Sequence, residues 1–523
     1  MLNIICVFPL IGEYNYDDLY SRLFSSYPFL VEVSAHSVSN DALLAFGTYP
    51  RLELKTLNMK VIENNSLIRF FGCCPNLTSL TLSGHYGGMT DEDVGVIVEN
   101  CPLLRRLSLM DSSEITDLSL SYISLLEHLV ELDMSSLDNY FTDGSGMTSE
   151  GLQGLVKARP SIQVLKCLLE GGDVDSFLRC VGTYCLQLRV LVIEKDEEIA
   201  GPSHAAVIAL IQDCPLLEGL EIDGYSPDDD VMYAISERCA HLSRLGMLFY
   251  EPPAFTDQGL IALSRGCPGL IYLHLHDAPS ITDAAIMSFA EHFHKLESLN
   301  LDGNHLITSQ AICALLKANP GITAIEVTDC AFLDDNVILT IAHYCPNLKK
   351  LSMLCCESLS IEPLYTLARS CRSLVDVIIA VSVINDEFID ILTQCCKGLQ
   401  KIRLYECPNI TGYTLGVLLL SGMSLTHVSI YRCALHPNDM LRRYYYMSSR
   451  PRATHNDRDH RPQGCFTKLR SSICQWLSPQ EARSRRRRDR EGQMPLVDDV
   501  VYCVSLSRTN KRMMWAPPRS TNS

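Results

Sequence analysis

One repeating unit of some two dozen residues constrains this chain more than any other feature, and the stretch from Cys267 to His292, CPGLIYLHLHDAPSITDAAIMSFAEH, shows it most clearly. Leu270, Leu273 and Leu275 follow Cys267 at offsets three, six and eight. Leu273 and Leu275 alternate with His274, the pattern of a short strand with one buried face. Ile286, Phe289 and Ala290 then recur at helical spacing. Thr282 before Asp283 reads as a helix N-cap followed by an acid in the first turn, where the helix dipole favours negative charge. One strand and one helix cannot enclose a core, so such a unit is stable only against neighbours of its own kind.

Matching units open at Tyr27, Arg51, Cys74, Cys101, Leu126, Arg159, Cys185, Cys214, Cys239, Cys267, Phe293, Asn319, Cys345, Cys371, Cys396 and Gly422. Nine of the fifteen steps between them are 25 or 26 residues, and the two units before Cys74 fit the template least well. At 523 residues a single compact core would be unusual, whereas a solenoid lengthens without enlarging its core. The sequence therefore predicts an α/β solenoid of about 16 repeats. Residues 1–26 form a partial repeat, 27–440 the solenoid, and 441–523 a basic, mostly disordered tail.

No apolar run approaches the roughly 20 residues that span a bilayer, and the opening MLNIICVFPLIG lacks a basic n-region and a small-residue cleavage site. The expected location is intracellular, cytoplasmic or nuclear. Cysteine usage agrees. Thirteen of the 23 cysteines occupy repeat-defined places, nine at unit openings and Cys330, Cys356, Cys407 and Cys433 at offset eleven. A recurring slot that accepts Cys or Asn is expected to be one of packing and backbone hydrogen bonding. The doublets Cys73-Cys74, Cys355-Cys356 and Cys395-Cys396 each contain such a slot, so they are read as structural rather than metal-binding.

The pattern Cys-Pro-x-Leu-x-x-Leu-x-Leu-x-x-Cys-x-x-Ile-Thr-Asp resembles the cysteine-containing leucine-rich repeat. CPNLKKLSMLCCESLSIEP from Cys345 and the stretch Cys396 to Gly412 match it best. This repeat is typical of F-box leucine-rich-repeat proteins, which select substrates for cullin-RING ubiquitin ligases, and of relatives without an F-box that regulate mitotic exit. The resemblance covers about Tyr27 to Cys433 and implies a curved horseshoe, parallel sheet inside and helices outside. It implies protein partners, namely a ligase substrate and cullin-ligase subunits, or the partner of an F-box-less scaffold or regulator. Nothing before Tyr27 has the length of an F-box. Leu2 and Ile4 instead read as a strand, and Tyr16, Leu19 and Leu23 as the following helix, so the sequence starts inside a repeat. A truncated gene model, a fragment, or a partner covering that end would each account for this.

Strand alternation also assigns the inner face. Arg106, Ser108, Glu131, Asp133, Glu221 and Asp223 are placed there, with Asn300 and Asp302, Glu326, Lys350 and Ser352, and His427. The middle of the face is mainly acidic and the last units carry Lys, Arg, Tyr and His, residue types that anchor interfaces. Tyr272, His274, His276, Lys401, Arg403, Tyr405 and Tyr431 are the candidate partner-binding residues. The 33-residue step after Leu126 marks an insertion, Ser135 to Gly151, whose Tyr140 and Phe141 sit on a loop suited to fold over that face.

Catalytic signals are missing. The chain has no Gly-rich phosphate loop, no His-Glu-x-x-His and no Gly-x-Ser-x-Gly. Tyr272-Leu-His274-Leu-His276, with His292 and His294, has no carboxylate or cysteine at a convincing ligand spacing. No enzyme activity, metal or cofactor is expected. Residues 441–523 hold 18 basic against 7 acidic residues, net +11, and the rest of the chain 26 against 54, net −28. The tail is thus suited to lie on the acidic solenoid or to meet an acidic partner. Ser478-Pro479-Gln480-Glu481 reads as a capping box leading a short helix over 478–490, and Arg485, Arg486, Arg487 and Arg488 as a basic nuclear-import signal or a solvated charge run. Neither a membrane nor nucleic acid is the expected partner, since the acidic solenoid would repel phosphates.

Overall fold

The computed structural model describes residues 4–7, 30–38, 52–61, 71–83, 89–110, 114–135, 146–195, 199–248, 253–275, 278–328, 333–354, 359–420, 425–431, 433 and 501–505. The chain divides into two compact units, Met1–Asn319 and Pro320–Ser523.

The first unit contains strands β1 (Ile4–Val7), β2 (Glu32–Val38), β3 (Thr56–Val61), β4 (Ser79–Ser83), β5 (Arg106–Leu109), β6 (Glu131–Met134), β7 (Val164–Leu169), β8 (Val190–Lys195), β9 (Gly219–Asp223), β10 (Arg244–Leu248), β11 (Tyr272–Leu275) and β12 (Ser298–Asn300). Each pairs in parallel with the next. From β4 onward each strand leads into a helix: α1 (Asp91–Asn100), α2 (Asp117–Ile123), α3 (Ser149–Ala158), α4 (Val174–Tyr184), α5 (His204–Asp213), α6 (Asp229–Arg238), α7 (Asp257–Gly266), α8 (Asp283–His292) and α9 (Ser309–Ala318). The second unit continues the pattern with strands β13 (Ala324–Thr328), β14 (Lys350–Leu354), β15 (Asp376–Ala380), β16 (Lys401–Tyr405) and β17 (His427–Tyr431), all parallel, and helices α10 (Asp335–Tyr344), α11 (Ile361–Ser370), α12 (Asp386–Cys395) and α13 (Gly412–Leu420). This is the leucine-rich-repeat solenoid architecture that the repeat predicts.

The repeat explains the register. Leu220, Leu245, Leu273 and Leu299 form one row across β9 to β12, and Leu351, Val377, Ile402 and Val428 one across β14 to β17. All eight are buried, while their alternates, such as Tyr272, His274, Lys350 and Lys401, are half-buried on the opposite face. A slip of one residue would turn the whole leucine row to solvent.

Two seams join neighbouring repeats. The unit-opening cysteines cap the helix C-termini, as Cys101, Cys267 and Cys396 do for α1, α7 and α12. Each thiol donates to the carbonyl of the preceding slot: Cys101 to Cys74 at 3.5 Å, Cys267 to Cys239 at 3.2 Å and Cys396 to Cys371 at 3.3 Å. Asn319 fills the same slot by accepting from Leu296 N–H and donating to Leu315 C=O, both at 3.0 Å.

The second seam lies at the helix N-termini. The Asp257 carboxylate accepts from Thr282 N–H at 2.9 Å and Thr282 Oγ1 at 2.6 Å, while Thr282 Oγ1 in turn accepts from Ala284 N–H inside α8. Asp283, the next residue, repeats the grip on Thr308. Asp91, Asp117, Asp175, Asp229, Asp335 and Asp386 do the same to Thr116, Thr148, Ser203, Thr256, Ser360 and Thr411. The acid read from sequence as a partner of its own helix dipole therefore also binds the N-cap one repeat ahead. At α5 a histidine stands in that place, and His204 Nδ1 pairs with Asp228 Oδ2 at 2.6 Å.

Within residues 441–523 the structure describes one further strand. Val501–Ser505 forms β18, antiparallel to β17, with Ser429 opposite Cys503. A solenoid's last strand presents unpaired N–H and C=O groups, and a further strand satisfies them. The helix expected over 478–490 and Arg485, Arg486, Arg487 and Arg488 lie outside the described residues, as do Tyr140, Phe141, Cys330 and Cys356.

Candidate functional site

In the first unit, β9 to β11 carry a charged and aromatic cluster on the face opposite the leucine row. Pairing sets Gly219, Arg244, Tyr272 and Ser298 in one row, and Glu221, Gly246, His274 and Asn300 in the next. The Arg244 guanidinium donates to Glu221 Oε1 at 3.2 and 3.3 Å and lies 4.8 Å from the centroid of the Tyr272 ring. Tyr272 Oη and His274 Nδ1 share a 2.7 Å hydrogen bond, with ring centroids 3.9 Å apart.

Gly246 makes this convergence possible. A Cβ there would fall 2.9 Å from Glu221 Cγ and 3.5 Å from Tyr272 Cε1. The missing side chain lets the Glu221 stem and the Tyr272 ring close over the strand and hold Arg244 between them. A guanidinium that is hydrogen-bonded on one side and stacked on the other loses little freedom on binding, which is what an interface anchor requires.

Beside the cluster, burial pushes the Asp223 carboxyl up to about 6, Glu221 adds to the rise, and Lys195 opposes it. Lys195 is itself buried, its ammonium donating to Ile199 C=O at 2.7 Å. Further along, Lys166 bridges Asp133 at 2.7 Å. Arg244, Lys195 and Lys166 are thus each held by a neighbouring acid or carbonyl.

The second unit arranges its charges differently. Across β13 to β17 the rows run Ala324, Lys350, Asp376, Lys401, His427 and Glu326, Ser352, Ile378, Arg403, Ser429. Lys350 pairs with Glu326 at 2.7 Å, whereas Arg403 reaches Asp376 only at 3.9 Å. Tyr405 and Tyr431 meet edge to face with centroids 6.2 Å apart. Burial, then Lys401 and Arg403, push His427 below its ordinary range, and Asp376 acts the other way.

The residues singled out from sequence therefore fall into two groups. Tyr272 and His274 belong to the first unit's cluster, and Lys401, Arg403, Tyr405 and Tyr431 to the second unit's face, while His276 lies outside the described residues. Arg244 and Gly246 were not anticipated. Their signal was present, since they flank Leu245 in the unit opening at Cys239, the same offsets that Tyr272 and His274 occupy in the next.

Among the described residues no three or more His, Cys, Asp or Glu side chains group to hold a metal ion. Burial pushes the thiols of Cys101, Cys185, Cys214, Cys267, Cys371 and Cys396 up to about 12, which keeps them protonated and suits them to hydrogen bonding rather than attack. No helix among the described residues is long and apolar enough to cross a membrane.

No family model matches the sequence. A chain of the crystal structure of the Rad7 and Elc1 complex in yeast is similar at a TM-score of 0.49 and 17% identity, the match covering 68% of this chain and 86% of that one. A chain of the TLR13–ssRNA13 complex is similar at a TM-score of 0.38 and 14% identity, covering 78% of this chain and 65% of that one. At these values neither likeness bears on partner or activity.

Proposed function

We propose that this chain is a non-catalytic recognition protein that binds another protein on its helix-free sheet face. The observation that carries the reading is the Arg244 guanidinium held between Glu221 and the Tyr272 ring over Gly246. Arginine and tyrosine dominate the energetically decisive positions of interfaces, and nothing in the repeat's own packing calls for this arrangement. The more specific reading is the substrate-binding part of a cullin-RING ubiquitin ligase. It is supported by the resemblance of CPNLKKLSMLCCESLSIEP and its sister units to the repeat of F-box leucine-rich-repeat proteins. A repeat-only scaffold or regulator outside any ligase shares the same signature.

The test is affinity purification of the full chain beside its Arg244→Glu variant. A partner retained by the chain and lost by the variant supports recognition through this face, with an expected affinity loss of about tenfold or more. Cullin-ligase subunits among the retained proteins favour the receptor, and a stable partner without them favours the scaffold. Equal retention by both forms would remove the assignment.

A further inference from the structure

We infer that the β16–β17 end of the second unit's sheet face binds an anionic segment of a partner protein, its carboxylate or phosphoryl groups meeting Lys401 and Arg403 and its backbone lying against Tyr405 and Tyr431. This rests on the recognition reading above and names the chemistry of a second contact. Charge complementarity carries it. Outside residues 441–523 the chain holds 54 acidic and 26 basic residues, so a cationic spot on the solenoid is an exception.

On this face the acids lie to one side. Glu326 is taken by Lys350 at 2.7 Å, and within strands β13 to β17 Asp376 is the remaining carboxylate, 3.9 Å from Arg403; the exposed Glu406 follows at the end of β16. No carboxylate among the described residues lies within ion-pair distance of Lys401, although Asp376 is its register partner on β15. Lys401 and Arg403 therefore have one neighbouring acid between them, within ion-pair distance of Arg403 alone. His427, on the next strand opposite Lys401, adds a third basic group with its Nδ1 2.9 Å from Thr426 Oγ1. His427 is exposed, and Lys401, Arg403, Tyr405 and Tyr431 are half-buried, so the group is accessible yet partly enclosed. The Tyr405–Tyr431 pair supplies adjoining aromatic surface that suits peptide rather than a bare ion.

An anion seated there would cancel the field that Lys401 and Arg403 exert on His427. Among the described side chains, those acting on His427 are the two cations, Asp376 and Thr426, and the backbone of β18 pairs alongside it. The His427 titration is thus a local reporter, which matters because the basic tail also attracts acidic peptides.

The experiment titrates the His427 ring signal by NMR in the full chain, assigned through His427→Gln. It is run with and without a short peptide alternating glutamate and glycine, with its glutamine counterpart, and with its phosphoserine counterpart. The expected result is an upward move of the His427 midpoint with the glutamate or phosphoserine peptide, none with glutamine, and loss of the move in Lys401→Gln/Arg403→Gln. The tighter of the two anionic peptides identifies the source as carboxylate or phosphoryl. Peptide binding that leaves His427 unmoved would place the contact on the tail and overturn the inference while leaving the Arg244 reading intact. A dimer of the full chain abolished by Lys401→Gln/Arg403→Gln would assign the surface to a second copy and overturn it equally. A purified partner lost with Arg244→Glu but retained by Lys401→Gln/Arg403→Gln would separate the two readings against this one.

Discussion

The carboxylates at the helix N-termini and the carboxylate of Asp223 stand in opposite circumstances. Burial raises the Asp91 carboxyl, but hydrogen bonds from Ser119 and Thr116 more than reverse it and hold the group below its ordinary range. Asp175 is held down in the same way by Ser203 and Arg179. Asp223, with burial and Glu221 against it, is pushed up to about 6. The first kind recurs repeat after repeat and has donors waiting in the next unit. Among the described residues the second occurs once, two residues beyond Glu221 on β9. In a repeat protein, what recurs serves the stack, and what departs from the repeat at a satisfied, rigid site is where function is to be sought.

The largest expected effect lies with the recurring residues. Leu351 sits buried in the row shared with Val377, so Leu351→Ala should destabilise the chain by about 2–5 kcal/mol in denaturant unfolding. Lys350→Ala, one residue away and on the opposite face, should cost under about 1 kcal/mol. Equal small effects at both would dissolve the distinction between the two faces.

Asp257→Ala tests the polar seam alone. It leaves Thr282 N–H and its hydroxyl without their acceptor, and a cost of about 1–3 kcal/mol is expected by thermal or denaturant unfolding. The same seam sets an acid limit. Because the folded-state pKa values of Asp91 and Asp175 are depressed, their contribution is present above the unfolded value of 3.8 and is lost as pH falls through the folded values. Asp91→Asn should flatten the stability profile below about pH 4.

Much of this fold was legible in the sequence because one spacing recurs. Leu270, Leu273 and Leu275 fixed strand, register and buried face together, and the Cys slots at Cys267 and Cys371 are the packing and hydrogen-bonding places their recurrence implies. The Asp seam was only half legible. Thr282-Asp283 announced a cap, yet the period that brings Asp257 beneath Thr282 had to be combined with the three-dimensional rise of the stack before the acid's second partner appeared. The Arg244 cluster was harder to see for a different reason. Tyr272 and His274 stood out as side chains, but Gly246 acts by lacking one, and a glycine on a strand face reads from sequence as a weakness.

Asp223→Asn should act with the opposite sign to Asp91→Asn. A carboxyl with a raised folded pKa costs stability once it ionises, so its contribution is favourable below the unfolded value of 3.8 and lost as pH rises through about 6. Replacing it with the neutral amide should stabilise the chain at pH 7 by about 1–2 kcal/mol. A loss of stability at pH 7 would show that the Lys195 interaction outweighs burial and would place Asp223 with the structural acids.

Gly246→Ala should change stability least and function most. The added methyl meets Glu221 Cγ at 2.9 Å and Tyr272 Cε1 at 3.5 Å, both on side chains of a partly exposed face, so the strand itself need not move. A stability cost of under about 1 kcal/mol follows. Glu221 must swing aside, however, and the Arg244 guanidinium then loses the acceptor that orients it over the Tyr272 ring. Partner affinity should fall by about tenfold, and Arg244→Ala combined with Gly246→Ala should weaken it no further than Arg244→Ala alone, because both act through one group. Additive losses in that double-mutant cycle would mean that the glycine serves the partner directly and that the Glu221–Arg244–Tyr272 arrangement is incidental.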